Sequence, residues 1–484
     1  MNTDLPVVVI GAGPVGLAAA AHLAERGLPF TVLEAGDAPG ASVRRWGHVR
    51  LFSPWRYNID TAARRLLAAA GWTAPDADEL PTGGELAERY LRPLAEVPGI
   101  APYVRYATKV TAISRLDTDR LRTPEREKAP FVLYVGDGEE IRARAVIDAS
   151  GTWLTPNVLG ANGLPAPGEA AAAPWIDNAL PDVLGVDRRR YAGRHTVVVG
   201  AGHSAATTLL ALAELADQAP GTRLTWAIRA AAPERAYGGG EEDALPARAS
   251  LGAGLRLLVD KGLVELAANF KIRAVRVRPD GAGVELVARQ ADGSERRLTA
   301  DRVVAATGFR PDHSIASELR LDLDPILGTT RALAPLIDPN DHSCGTVRPH
   351  GVDEVAHPEP GYYAIGMKSY GRAPTFLLAT GYEQARSVVA ALAGDWEAAR
   401  DVRLELPAGG VCSATLGVKA IAEQLGLDPD TPARLIAAAT RHLATHVSVS
   451  AAVLAAAAEL GIDENAALRL AAFAAEQFDG ASTS

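Results

Sequence analysis

The stretch Val7-Val8-Val9-Ile10-Gly11-Ala12-Gly13-Pro14-Val15-Gly16 decides the fold. Residues 6–10 form a short β-branched run, the pattern of a strand buried in a parallel sheet. Gly11 permits a tight turn, Gly13 lets a pyrophosphate approach the backbone, and Gly16 allows the next helix to pack closely. That helix, 14–26, opens on Pro14 and aims its first N–H groups at the phosphates. A second strand, Phe30-Thr31-Val32-Leu33, ends at Glu34, whose carboxylate can accept hydrogen bonds from ribose hydroxyls. Glycines alone would be weak evidence in an Ala/Gly-rich chain. Strand, turn, helix, strand and acid in register predict a dinucleotide-binding βαβ unit over 1–45.

The pattern returns at Thr196-Val197-Val198-Val199-Gly200-Ala201-Gly202-His203-Ser204-Ala205. His195–Val199 reads as a strand and 203–217 as a helix, with Ala205 an accepted replacement for the third glycine. The following strand, Leu224-Thr225-Trp226-Ala227-Ile228, ends at Arg229 instead of an acid. A carboxylate there would repel a 2′-phosphate, whereas a guanidinium binds it bidentately. Arg235 and Arg248 are other candidates for the same phosphate. The expectation is FAD at the first site and NADPH at the second, held face to face for hydride transfer. Two strands running into small-residue turns accompany them: Ala145-Val146-Ile147-Asp148-Ala149-Ser150-Gly151, and Arg302-Val303-Val304-Ala305-Ala306-Thr307-Gly308-Phe309-Arg310-Pro311.

The predicted fold class is α/β: two Rossmann-like dinucleotide-binding domains, the NADPH domain inserted in the FAD domain, plus a small C-terminal helical extension. The FAD domain is placed at 1–191 and 301–395, the NADPH domain at 192–300, a linker at 396–414 and the extension at 415–484. Within the FAD domain, Asn58 and Asp60 offer caps for a helix at 61–70 closed by Gly71. Thr82-Gly83-Gly84-Glu85 is a capping box for a helix running to about Ala95. Strands near 103–115, 130–135 and 141–148 suit a small β-meander, and a helix at 380–393 closes the domain.

A chain of 484 residues is long enough for two or three domains, and 48% hydrophobic with 22% charged residues is ordinary for a soluble globular protein. A net charge of −9 argues against nucleic-acid or anionic-membrane partners. Two cysteines, Cys344 and Cys412, make no disulfide framework, and a reducing cytoplasm is the expected setting. The N-terminus enters a strand almost at once, without the pattern of a signal peptide. The uncharged stretch 447–458 is too short to span a membrane.

These motifs resemble those of the FAD/NAD(P)H flavoprotein superfamily, and within it the class B flavin-dependent monooxygenases, over roughly residues 5–395. Asp148-Ala149-Ser150-Gly151-Thr152-Trp153 through Pro156-Asn157 is similar to the monooxygenase A-T-G-x-W…P turn, and Gly200–Ala205 to its G-x-G-x-S-A. In that superfamily such turns mark where the chain crosses between the two nucleotide domains. One departure matters: Pro156 to Arg194 holds neither histidine nor phenylalanine, so the F-x-G-x-x-x-H-x-x-x-W/Y of the flavin-containing and Baeyer–Villiger enzymes is missing. Gly168, Glu169 and Trp175 occupy the region without that pattern. The Cys-x-x-Cys of thioredoxin reductases is also missing. A narrower resemblance, to flavoproteins of bacterial arsenic-resistance gene clusters, rests on Asp338–His350, Gly366–Phe376 and Gly410-Val411-Cys412-Ser413.

The resemblance implies that NADPH reduces FAD, that dioxygen adds to give a C4a-hydroperoxide, and that a soft nucleophile takes its distal oxygen. The cofactor performs the difficult step and the protein supplies geometry and water exclusion, so no catalytic residue is assigned. The implied substrate is a small molecule with a nitrogen, sulfur or arsenic centre, with O2 as co-substrate. The expected flavin side is Arg44–Trp55: Arg44 or Arg45 for the pyrophosphate, and Trp46, Phe52, Ser53 and Trp55 near the ring, where the aromatics are equally readable as core. Gly151, Thr307 and Gly308 belong to the crossing turns. Gly366-Met367 is the C-terminal flavin contact, and Met367 stands where disulfide-reductase relatives carry an aspartate, which favours oxygenation.

His342, Cys344, His350 and His357 form a loose cluster whose spacing matches no zinc motif. No metal is assigned, although Cys344 and Cys412 together would suit a trivalent arsenical. His442 and His446 read as a surface pair on a helix. Two other functions stay open: an NADPH-dependent flavin reductase or oxidase, with the extension as docking module, and a non-catalytic flavin redox sensor. A homodimer is compatible with the extension.

Overall fold

The structure is a computed structural model that describes residues 4–238, 245–289, 293–339, 347, 349–374, 376–402, 431, 434–435, 438, 442, 449–463 and 465–470. The chain forms two compact units, the first ending at Leu406 and the second built mainly from residues 407–484.

The first parallel sheet of the large unit grows from β1 (Val7–Ile10). It pairs in register with β2 (Phe30–Leu33) on one side and β7 (Ala145–Asp148) on the other. The sheet is completed by β3 (Val104–Arg105) beyond β2 and β16 (Tyr362–Ala364) beyond β7. Side chains alternate across a strand. Val7 and Val9 therefore enter the core shared with α1 (Pro14–Glu25), while Val8 and Ile10 face the core of the meander. A late helix, Leu378–Leu392, packs in the same core as α1 and brings distant sequence to the first glycine turn.

The meander is antiparallel: β4 (Val110–Arg115), β5 (Phe131–Val135) and β6 (Glu139–Ala143). The strand expected over 141–148 is in fact two. Arg144 separates β6 from β7, its N–H donating to Pro6 O and its guanidinium to Leu392 O, so the chain leaves one sheet and enters another.

The second parallel sheet has β9 (His195–Val199) at its centre, flanked by β10 (Arg223–Ala227) and β15 (Arg302–Ala305), with β11 (Glu265–Ala267) and β8 (Ile176–Asn178) at the edges. The expected boundaries at 192 and 300 cut through this sheet, since β8 and β15 lie outside them. A three-residue edge strand has no periodicity to betray it. An antiparallel sheet of β12 (Ile272–Val277), β13 (Val284–Arg289) and β14 (Glu295–Ala300) packs beside it.

Helix Thr61–Ala69 is capped by Asp60, which accepts from Ala63 N at 2.9 Å, and Gly71 follows with φ +82°. The Thr82–Glu85 capping box forms reciprocally. The helix it opens reaches Glu96 through a π turn at Ala87–Leu91. Pro93 supplies the reason, because it has no N–H for the carbonyl of Arg89. The indole of Trp72 donates to that carbonyl instead, at 2.9 Å.

Trp396–Arg400, expected as linker, is a helix of the large unit. Asp395 caps it, Ser387 Oγ donates to Ala399 O at 2.6 Å, and Arg386 donates to Ala398 O. In the smaller unit, the helix Val449–Glu459 contributes Val453, Ala456 and Ala457 to a core with Leu435, Ala438, Ala467 and Leu470. His442, expected in a surface pair with His446, has a carboxylate partner: its Nε2 meets Glu459 Oε2 at 2.9 Å. His446 lies outside the described residues. Among the described residues no helix is long and apolar enough to cross a membrane.

Candidate active site

The three glycines of the first turn have three distinct environments. Gly11 has φ +99°, and a Cβ there would come within 2.8 Å of Ala149 O. A Cβ on Gly16 would sit 1.9 Å from Gly11 O, so helix and turn close only around glycine. A Cβ on Gly13 would meet nothing within 4 Å. Gly13 is also the N-cap of α1, with Pro14 first in the helix and no side-chain cap. An uncapped helix N-terminus beside open space is the feature an anionic pyrophosphate fits. Glu34 braces this turn: its carboxylate accepts from Ala12 N and Gly36 N, each at 2.7 Å. A carboxylate has more lone pairs than those two bonds use, which leaves capacity for a ribose.

The second turn repeats the geometry. Gly200 has φ +133°, and a Cβ would lie 2.1 Å from Ala306 O, while Gly202 again faces open space. Gly202 is the uncapped N-cap of the helix His203–Gln218. Ser204 is half-buried in its first turn, and Ala205 is fully buried where a third glycine would otherwise lie. Trp226 holds the turn from below, its Nε1 donating to Gly200 O at 2.7 Å. Arg229, just past β10, is exposed and, among the described residues, donates only to Ala161 O at 3.3 Å. Arg248 is half-buried on the neighbouring helix Pro246–Asp260. The side chain of Arg235 lies outside what is described.

The two crossing segments are tied to each other. Asn157 N donates to Gly308 O at 2.9 Å, and Arg310 N to Thr155 O at 3.1 Å. Thr307 Oγ1 donates to Asn157 O at 2.8 Å, and Asn157 Nδ2 returns a bond to Thr307 O at 3.0 Å. Gly151 and Gly308 both take positive φ, +70° and +83°. Sequence spacing places these turns near the domain crossings but gives no hint that they bond side by side.

Aromatic rings form two groups, one of them on these crossing segments. Trp153 stacks on Phe309 at 4.8 Å, Trp46 lies 6.5 Å from Trp153, and Phe52 lies 5.2 Å from the ring of His203. All but His203 are half-buried, and His203 is exposed. Trp55 separates from both groups: it is fully buried in the core, under the guanidinium of Arg89. Ser53 is also committed elsewhere, its hydroxyl donating to Asn58 Oδ1 at 2.9 Å. Arg44 bonds Pro39 O and Glu88, so the exposed Arg45 is the less encumbered of the two arginines.

Gly366 completes the site from the far end of the chain. It has φ +70°, and a Cβ would press on Val15 of α1 at 3.2 Å. Gln384 and Ser369 clamp it: Gly366 N donates to Gln384 Oε1 at 2.8 Å, and Ser369 Oγ to Gly366 O at 2.7 Å. Met367 follows, half-buried. The buried His350 is part of this clamp, its Nε2 3.0 Å from Gln384 Nε2. His357 is buried as well and accepts from Asp322 N through Nδ1 at 3.3 Å. Burial, then the neighbouring His313, hold the His357 imidazole down to about 4. These two histidines therefore serve the fold. His342 and Cys344 lie outside the described residues, as does Cys412, and among the described residues no cluster could hold a metal ion.

Sequence reasoning missed one buried pair. Lys368 Nζ donates to Asp148 Oδ2 at 2.6 Å and to Ser150 Oγ at 3.1 Å. The only signal was a polar residue ending an otherwise apolar strand.

The open turns and uncapped helices fit two dinucleotides, and known proteins agree. A match to the family described as pyridine nucleotide-disulphide oxidoreductase spans residues 8–346. The chain is 25% identical over 389 residues to a ferredoxin–NADP reductase of Rhodospirillum rubrum, covering 80% of this chain and 89% of that one. It is 28% identical over 206 residues to the indole-3-pyruvate monooxygenase YUCCA1 of Oryza sativa subsp. japonica, covering 41% and 42%. Among solved structures, the fold is similar to that of DfoA, the cadaverine monooxygenase of Erwinia amylovora's desferrioxamine pathway, with a TM-score of 0.56 at 16% identity over 84% of this chain and 97% of that one. The chain thus belongs to the pyridine nucleotide-disulphide oxidoreductase family, as a flavoprotein oxidoreductase that uses FAD and NAD(P)H.

Proposed function

We propose that this chain is an FAD- and NADPH-dependent monooxygenase that oxygenates a small nucleophilic substrate at nitrogen, sulfur or arsenic. In this reading FAD lies on the Gly11–Gly16 turn and against Gly366-Met367, and NADPH on the Gly200–Ala205 turn with its 2′-phosphate on Arg229. The observation that carries it is a set of aromatic contacts that link the two nucleotide halves: Trp46 near Trp153, Trp153 stacked on Phe309, and Phe52 on His203 at the start of the second turn's helix. A dithiol reductase needs a redox-active cysteine pair at its flavin. This chain has two cysteines, 344 and 412, and no Cys-x-x-Cys.

FAD, when bound, supplies hydride acceptance and activation of dioxygen. The chain's own residues bind, orient and dry the site. The α1 and His203–Gln218 N-termini hold pyrophosphates, and the guanidinium of Arg229 selects the phosphorylated nicotinamide cofactor. The half-buried rings exclude water, which strengthens every electrostatic contact within. Met367 brings no titratable proton to the flavin side.

The 25% identity to a ferredoxin–NADP reductase favours a second reading, in which electrons leave to a protein partner or to dioxygen as peroxide. The deciding experiment supplies NADPH and isotope-labelled dioxygen with a panel of amines, thiols, thioethers and trivalent arsenicals. Label in one product, with peroxide well below NADPH consumed, supports oxygenation. Stoichiometric peroxide with every compound leaves the reductase reading in its place.

A further inference from the structure

The turn that carries Met367 also buries a lysine that the proposed chemistry does not use. Lys368 is 1% exposed and Asp148 is fully buried. Besides Lys368 Nζ, the Asp148 carboxylate accepts from Tyr362 OH at 3.0 Å, from Ser150 Oγ at 2.6 Å and from Ser150 N at 3.1 Å. Burial opposes ionisation of Asp148, yet Lys368 and Ser150 outweigh it and hold the carboxyl below its usual range. A buried ion pair contributes little net stability against an apolar replacement, so folding alone is a poor reason for it.

Its place in the fold gives a better one. Asp148 ends β7 in register with Ile10, roughly one strand spacing of ~4.8 Å from the first glycine turn. Ala149 O and Ser150 Cα are the atoms that would exclude a side chain at Gly11. Gly366, two residues before Lys368, rests on Val15 in the first turn of α1. The pair therefore flanks both turns that frame the proposed FAD site. An unpaired Asp148 there would oppose the pyrophosphate and the negative charge that a flavin gains on reduction, in a medium where such charges are weakly screened.

We propose that Lys368 is a positioning residue for the flavin, neutralising Asp148 beside the FAD and thereby setting the affinity and midpoint potential of the bound cofactor. The inference rests on the assignment of FAD to the Gly11–Gly16 turn.

The test measures FAD dissociation constants and flavin midpoint potentials. Lys368→Met lowers the potential and weakens FAD by about tenfold or more, the effect of one uncompensated charge at short range. Lys368→Arg keeps the charge and stays near wild type. Asp148→Asn raises the potential, and the Asp148→Asn/Lys368→Met double variant returns toward wild type. Opposite shifts from the two single variants are what a purely structural pair would not produce. Wild-type potentials throughout, or shifts of one sign in both, overturn the proposal. Should Lys368→Met fail to accumulate, Asp148→Asn carries the test alone: it leaves the Lys368 charge without its carboxylate, and an unchanged potential there overturns the proposal. Gly13→Ala serves as the separate arm. If it leaves FAD affinity intact, the FAD assignment itself fails; if it weakens FAD while the pair variants move nothing, only the role of Lys368 fails.

Discussion

Gly13 and Gly16 are three residues apart and do opposite work. Gly16→Ala places a methyl 1.9 Å from Gly11 O, so the expected outcome is an apoprotein that unfolds several degrees lower and retains no FAD. Gly13→Ala adds a methyl to open space, so the apoprotein keeps its Tm and only FAD affinity falls. Calorimetry of the stripped protein beside FAD titration separates the two. Among the described residues Arg229 makes one long bond, to a backbone carbonyl, so its loss should leave stability unchanged. Arg229→Gln should raise the KM for NADPH by roughly ten- to a hundred-fold, the worth of a charge-assisted contact, and leave that for NADH nearly alone. Equal effects on both cofactors would move the 2′-phosphate to another arginine. At this scale the sequence was legible wherever a backbone demand selects the residue, as at Gly11 and Gly200. It was silent on Lys368 and Asp148, which are 220 residues apart and carry no local pattern.

Among elements, the meander and the segment leading to β16 are joined by buried charge. Glu359 accepts from Arg115 Nε at 2.7 Å and from Arg126 NH2 at 3.1 Å, all three side chains at most 3% exposed. Glu359→Gln would leave two guanidinium groups facing each other, and a loss of about 3–5 kcal/mol by chemical denaturation is expected. Burial pushes the Glu359 carboxyl up, but Arg320 N–H, Arg115 and Arg126 outweigh this and hold it below the usual range. A depressed folded value means stability present above the unfolded value of about 4.3 and lost as pH falls through the folded one. His357, at about 4 when folded, adds a second slope. Its contribution is complete above its unfolded value of roughly 6.5 and disappears as pH falls toward the folded one. Tm measured across that window should fall with acid, and His357→Gln should flatten the upper part of the fall. The sequence announced elements with caps and apolar runs, such as the Thr82–Glu85 box. It hid β8, three residues long, and the π turn, whose cause is a proline at one site and an indole at another.

On the scale of the whole molecule, the described residues that form the cores of the large unit all precede Leu406. A chain ending there should still purify yellow, with a flavin absorbance per protein equal to that of the full chain. A colourless product would make residues 407–484 part of the FAD unit. The chain's order along these cores was readable from four motifs, while the borders were not, because β8 and β15 join the second sheet from sequence outside its glycine turn.

The first sheet has a consequence for the protein's birth on the ribosome. β9, β10, β11 and β15 are close in sequence, so the second nucleotide fold can close soon after residue 305 emerges. The first cannot: β7 waits for β16, whose Tyr362 bonds Asp148 across 214 residues, and α1 waits for the helix Leu378–Leu392. At about 5–20 residues per second, that delay lasts many seconds. During it α1, buried along most of its length in the finished fold, lacks one of the helices it packs against. The nascent protein must therefore be sheltered longest around its earliest strand and helix, until residues 378–392 have emerged.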